Sequence, residues 1–204
     1  MKYLKAFLAA IVVLVTALAF AACGTGTDSG KNTGDNGDKT DGSADAKILV
    51  VYFSATNTTK GVAQKIQTAT GSAIYEIVPA VPYTQADLNY NTDCRANSEQ
   101  NDPEARPAIS GSVDNIGQYD TVFIGYPIWW GQAPKIIYTF IESYDFSGKT
   151  LIPFCTSGSS PMGSSATNLQ KLTPNATWLG GKRFGGSVSQ SDVNGWVNEV
   201  LKSA

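Results

Sequence analysis

Apolar residues follow two rhythms from Lys47 onward. Lys47 to Phe53 is a nearly continuous apolar run rich in β-branched residues, which predicts a central strand buried on both faces. Val62, Ala63, Ile66 and Ala69 then recur at helical spacing, and Gly71 predicts where that helix stops. Ala73 to Val78 reads as a second strand and Tyr119 to Tyr126 as a third. Pro134 suits the first turn of a helix, with Ile136, Ile137, Phe140, Ile141 and Tyr144 on one face. Thr150 to Cys155 reads as a fourth strand, and Ala166, Leu169 and Leu172 mark a weaker helix. A fifth strand over Thr177 to Phe184 is interrupted by Gly180-Gly181. Ser189 and Asp192 form a capping pair ahead of a last amphipathic helix carrying Val193, Trp196, Val197, Val200 and Leu201. Alternation of this kind predicts an α/β fold, a doubly wound parallel sheet with helices on both faces. Its ligands bind beyond the carboxyl ends of the strands.

The first 46 residues break both rhythms. Lys2 and Lys5 precede an apolar stretch from Ala6 to Ala22 with Thr16 as its one polar residue, the layout of a signal peptide over residues 1–22. Leu18 to Cys23 resembles the lipobox of bacterial lipoproteins, with Phe20 where Leu is more usual. That resemblance implies cleavage before Cys23, lipid on its sulfur and an extracytoplasmic domain anchored to the bacterial cell membrane. The alternative is an uncleaved membrane anchor, for which 17 residues are short. Residues 24–46 hold no large apolar side chain and read as a flexible linker. The folded domain is therefore expected over residues 47–204.

Composition removes whole classes of chemistry. The chain has no histidine, which excludes Ser-His-Asp and Cys-His catalysis and histidine-ligated zinc. Cys23, Cys94 and Cys155 form no CxxC pair, so a thiol-bound metal cluster is not expected. An oxidising compartment would permit a bridge between Cys94 and Cys155, but their spacing gives no evidence of pairing. From Lys47 onward 11 basic residues face 12 acidic ones, and this balance offers nothing to a nucleic acid.

What remains lies in three loops, each following a strand. Ser54-Ala55-Thr56-Asn57-Thr58-Thr59 places four hydroxyls and an amide where a strand turns into a helix. Free N–H groups and the helix dipole favour an anion there. The glycines and GK[ST] ending of a nucleotide P-loop are missing, so a phosphate monoester is the better match. The competing reading is that these residues only cap the helix. Pro127-Ile128-Trp129-Trp130-Gly131 puts two adjacent indoles in a stiff loop, one expected in the core and one facing a flat ligand. Thr156-Ser157-Gly158 opens a small polar loop whose backbone suits the polar edge of a ring. Together the three loops describe a site for a flat heterocycle with one phosphate.

From Lys47 to the C-terminus the chain resembles the flavodoxin-like family, in particular its bacterial extracytoplasmic branch. Tyr52 to Lys60, Tyr126 to Trp130 and Cys155 to Ser159 carry the likeness, with Leu88 to Asn91 and Arg95 to Pro103 adding to it. The resemblance implies a five-stranded sheet in order 2-1-3-4-5 with FMN at its carboxyl edge. It implies that Ser54, Thr56, Asn57, Thr58 and Thr59 hold the phosphate. Pro127, Ile128, Trp129, Trp130 and Gly131 would flank the ring, and Thr156, Ser157 and Gly158 would meet its pyrimidine side. Asn57 stands where flavodoxins often have Gly, a position Asn tolerates because it accepts left-handed angles. The long segment 79–118 either offers Tyr83, Tyr90, Arg95 and Arg106 as a cover for the flavin or a partner surface, or replaces one crossover helix and only caps the sheet, and a segment of this length often hides a short helix. The expected function is electron transfer through non-covalent FMN to a redox partner protein or small acceptor. The alternatives are an FMN-dependent NAD(P)H or quinone reductase, for which no NAD(P)H fingerprint is present, and a non-catalytic flavin-binding surface domain.

Overall fold

The computed structural model describes residues 47–204. The expected signal peptide, Cys23 and the linker lie outside the described residues. Strand β1 (Ile48–Tyr52) leads into helix α1 (Thr58–Thr70), which ends at Gly71 with φ 64°. Then follow β2 (Ala73–Glu76), β3 (Val78–Pro79), α2 (Arg95–Asn101) and β4 (Ile109–Ser110). The second half runs β5 (Thr121–Pro127), α3 (Lys135–Glu142), β6 (Thr150–Thr156), α4 (Ser165–Gln170), β7 (Thr177–Trp178), β8 (Lys182–Phe184) and α5 (Gln190–Leu201).

The main sheet is parallel in the order β2-β1-β5-β6-β7, with β8 also on β6. This is the expected 2-1-3-4-5 order with its fifth strand in two pieces. The break has a cause on the neighbouring strand. Pro153 in β6 has no N–H to donate. It sits between the last β7 partner, Leu151↔Trp178, and the first β8 partner, Phe154↔Lys182. Gly181 passes so close that a Cβ there would lie 2.6 Å from the Pro153 carbonyl oxygen.

Side chains on β1 alternate between two cores, as the pleat requires. Leu49 and Val51 join Val122, Ile124, Ile136 and Phe140 under α3. Val50 and Tyr52 join Val62, Ile66, Phe123, Ile152, Val193 and Trp196 under α1 and α5. Gly125 lets the two central strands pack, since a Cβ there would fall 2.1 Å from the Phe154 ring. Ser189 caps α5 by accepting from the Asp192 N–H, as its spacing predicts.

Two predicted elements are shorter than expected. The second strand stops at Glu76, because Val78–Pro79 turns away to pair antiparallel with Ile109–Ser110. Helix α3 stops at Glu142, which leaves Tyr144 beyond its end. The Tyr144 ring still packs on Phe140 at 4.9 Å, and its hydroxyl accepts from the Val113 N–H. The long segment 79–118 does contain a short helix, α2, together with 3-10 turns at Ala86–Leu88 and Ile116–Gln118.

Candidate functional site

A cavity of about 560 Å³ opens at the carboxyl edge of the sheet. Three predicted loops meet there. Thr56, Thr58 and Thr59 line it from the β1–α1 turn, Pro127, Ile128 and Trp129 from the end of β5, and Thr156, Ser157 and Gly158 from the end of β6. Ala55 and Gly186 add to the first side, and Gln85, Leu88 and Tyr90 close it from the long segment. Ser54, Asn57, Trp130 and Gly131 are not on the lining, though Ser54, Asn57 and Trp130 each adjoin a residue that is.

The β1–α1 turn is shaped for an anion. Asn57 precedes the helix at φ 62°, the left-handed conformation expected for it, and its side chain makes no capping bond. The first N–H groups of α1 have no intrahelical acceptors. The buried Ser54 Oγ has no hydrogen-bond partner among the described residues, an unusual state for a buried hydroxyl. Thr59 and Thr156 hydroxyls lie 2.8 Å apart, which ties the turn to the end of β6. Lys60 is engaged elsewhere, pairing with Glu76 at 2.9 Å. Glu76 also accepts from the Tyr52 hydroxyl, whose pKa is raised by burial and by that carboxylate.

The opposite side is aromatic. Trp129 is 4% exposed and meets Phe53 and Tyr83 edge-on at 5.6 and 5.3 Å. Trp130 is 44% exposed and stands edge-on to Tyr90 at 4.7 Å. One indole is expected in the core and the other against the ligand; the buried Trp129 is the one on the cavity wall, and the exposed Trp130 is off it. The polar loop is held from two strands. The Ile128 N–H donates to the Thr156 carbonyl at 2.9 Å, and the Arg183 guanidinium to the Ser157 carbonyl at 3.0 Å.

No lining residue carries a charge. Arg183 on β8 reaches the lining through the Ser157 carbonyl. Cys94 and Cys155 are both free and buried. Burial pushes the Cys155 thiol up to about 12, despite Arg183, so it holds its proton at neutral pH. Sequence reasoning missed Gln85, Leu88 and Gly186. Gly186 had one legible signal, the Gly185-Gly186 pair after the last strand. A Cβ at Gly186 would come 3.1 Å from the Thr58 methyl.

The family model described as Flavodoxin matches residues 47–200. The chain belongs to the flavodoxin family. A protein from Bacteroides eggerthii, described as a flavoprotein, has a solved structure that is similar at 48% identity and TM-score 0.72, covering 76% of this chain and 98% of that one. A second such protein, from Bacteroides uniformis, is 44% identical at TM-score 0.72, covering 75% and 98%. A Lactobacillus acidophilus flavoprotein solved in complex with FMN shares the fold at 23% identity and TM-score 0.59, covering 74% and 98%. No curated protein sequence matches the chain.

Proposed function

We propose that this flavodoxin-family chain binds FMN without a covalent bond and passes electrons between a donor and a partner protein or small acceptor. The observation that carries the reading is a cavity with two unlike sides. One has an uncapped helix N-terminus beside the unpartnered Ser54 hydroxyl, and the other has an aromatic wall. The cavity volume lies within the range of small-molecule sites. The FMN ring supplies the redox chemistry when bound. Ser54, Thr56, Thr58 and Thr59 hydroxyls and the first N–H groups of α1 hold the phosphate, with Asn57 setting the turn. Pro127, Ile128 and Trp129 wall the ring, with Trp130 and Gly131 shaping the loop behind them. Thr156, Ser157 and Gly158 present backbone groups to its polar edge. A lining without cations gives little support to added negative charge on the ring, which favours a potential below that of free FMN. A lipid on Cys23, read from Leu18 to Cys23, tethers the domain on the outer side of the membrane, with residues 24–46 as the reach.

The test is an absorbance spectrum of the purified protein before and after incubation with FMN and desalting. Retained flavin bands that dithionite bleaches support the reading. A protein that neither retains nor quenches FMN overturns it. Loss of fatty-acid labelling in Cys23→Ser tests the tether separately.

A further inference from the structure

The loop that carries the two indoles is a tight turn under strain. Trp129 and Gln132 exchange N–H···O bonds in both directions at 2.9 Å. The residues between them, Trp130 and Gly131, have φ of 48° and 74°. Positive φ at both central positions is the pattern of a type I′ turn, which Asn and Gly favour. A bulky residue such as Trp is an outlier there, and such strain persists only where surroundings over-determine the conformation.

The surroundings include Gln100 of α2. Its Nε2 donates to the Trp129 carbonyl at 3.1 Å and to the Ala133 carbonyl at 3.3 Å. Its Oε1 accepts from the Lys135 N–H at 3.1 Å, the first residue of α3. One amide therefore spans the turn from its start to the helix that follows. On the far side, Gln132 donates to Ser164 Oγ at 3.0 Å and accepts from Asn168 at 2.8 Å.

We infer that Gln100 is a positioning residue, which locks the Trp129–Ala133 turn and so sets the aromatic wall of the cofactor cavity from a helix that does not line it. The link to the cofactor rests on the FMN reading above, whereas the lock on the turn does not. Only an amide side chain meets all three partners, since two need a donor and one an acceptor. Leucine offers neither. A glutamate offers an acceptor to Lys135 but turns a charged oxygen on the two carbonyls. Protonation gives it one donor back, so its defect should heal in acid.

The experiment uses the full-length chain, wild type, Gln100→Leu and Gln100→Glu, without ligand and then titrated with FMN and with riboflavin. Near-ultraviolet circular dichroism reads the tryptophan environment without any flavin. The expected result is loss of tryptophan signal in Gln100→Leu at every pH, and in Gln100→Glu at pH about 8 with recovery at about 3.5, below the ordinary glutamate value of about 4.3, where its protonated carboxyl can donate. Flavin quenching should show roughly ten-fold weaker binding of FMN and riboflavin alike, because the ring side and not the phosphate side is disturbed. An unchanged tryptophan signal in Gln100→Leu overturns the inference, as does a Gln100→Glu defect that acid does not reverse. A loss confined to FMN overturns the link to the ring wall. If wild type quenches neither flavin while the dichroism behaves as expected, the FMN reading falls and the lock on the turn stands.

Discussion

At the α1 side of the cavity the lining hydroxyls come from one stretch, Thr56, Thr58 and Thr59, with Gly186 close alongside. At the aromatic side the wall is assembled from Gln85 to Tyr90, Pro127 to Trp129 and Ser157-Gly158. The first side is local: a strand end, a left-handed residue and a helix start suffice to build it. The second exists only when three distant parts of the chain have packed. Changes to the first should therefore alter binding and spare the fold, and changes to the second should alter both.

Trp129→Ala breaks this comparison most severely if the aromatic wall is not part of the core. Trp129 packs on Phe53 and Tyr83, and Tyr83 in turn carries the Arg95 guanidinium over its ring at 4.2 Å. Removing a buried indole of this kind costs about 3–5 kcal/mol. Urea unfolding of the ligand-free protein should show that loss, and flavin binding should fall with it. A variant as stable as wild type would mean that the wall is an ornament on an independent fold.

Ser54→Ala sharpens the comparison from the other side. The Ser54 hydroxyl is buried without a partner, and such a group costs the folded state about 1–3 kcal/mol until something bonds to it. Its removal should leave the ligand-free protein as stable as wild type or slightly more so. FMN affinity should fall about ten-fold, the worth of one charge-assisted hydrogen bond. Riboflavin, which has no phosphate, should bind as before. Equal losses for both flavins would place Ser54 away from the phosphate.

The same contrast explains what the sequence makes legible. The β1–α1 turn is readable because its chemistry and its geometry share one stretch, and Asn57 at φ 62° fits the expected left-handed turn. The parallel sheet follows from alternation, its strand order is implied by the family resemblance, and even the interruption at Gly180-Gly181 is visible in the chain. The cause of that interruption is not, because Pro153 acts on it across the sheet. Gln85 and Leu88 carry no signal, since only the path of the long segment brings them to the cavity. Trp130 illustrates the limit in one residue. Two adjacent indoles in a loop predict one in the core and one facing a ligand, but the folded turn, with Trp130 at φ 48°, puts the core indole Trp129 on the cavity wall.

The smallest expected effect lies at the far end of the segment that closes the aromatic side. Arg106 anchors that segment to α3 through Glu142, with Nε and Nη2 reaching its two oxygens at 2.6 and 2.8 Å. The guanidinium bond holds the Glu142 carboxyl below its usual pKa. A depressed carboxylate contributes stability that is fully present above the unfolded pKa, about 4.3, and is lost as pH falls through the lower folded value. Both side chains are about one-third exposed, at 31% and 37%, so solvent screening limits the pair to about 0.5 kcal/mol. Glu142→Gln should thus be slightly less stable than wild type at pH 7, and the gap should close in acid. Urea midpoints across pH 3 to 7 check this, and a gap that persists below about pH 3 would assign the loss to packing of Glu142 instead of its charge. If the segment also transmits its anchoring to the cavity, riboflavin binding should weaken in Glu142→Gln by less than it does in Gln100→Leu, because the ion pair acts on the segment while the amide acts on the turn itself.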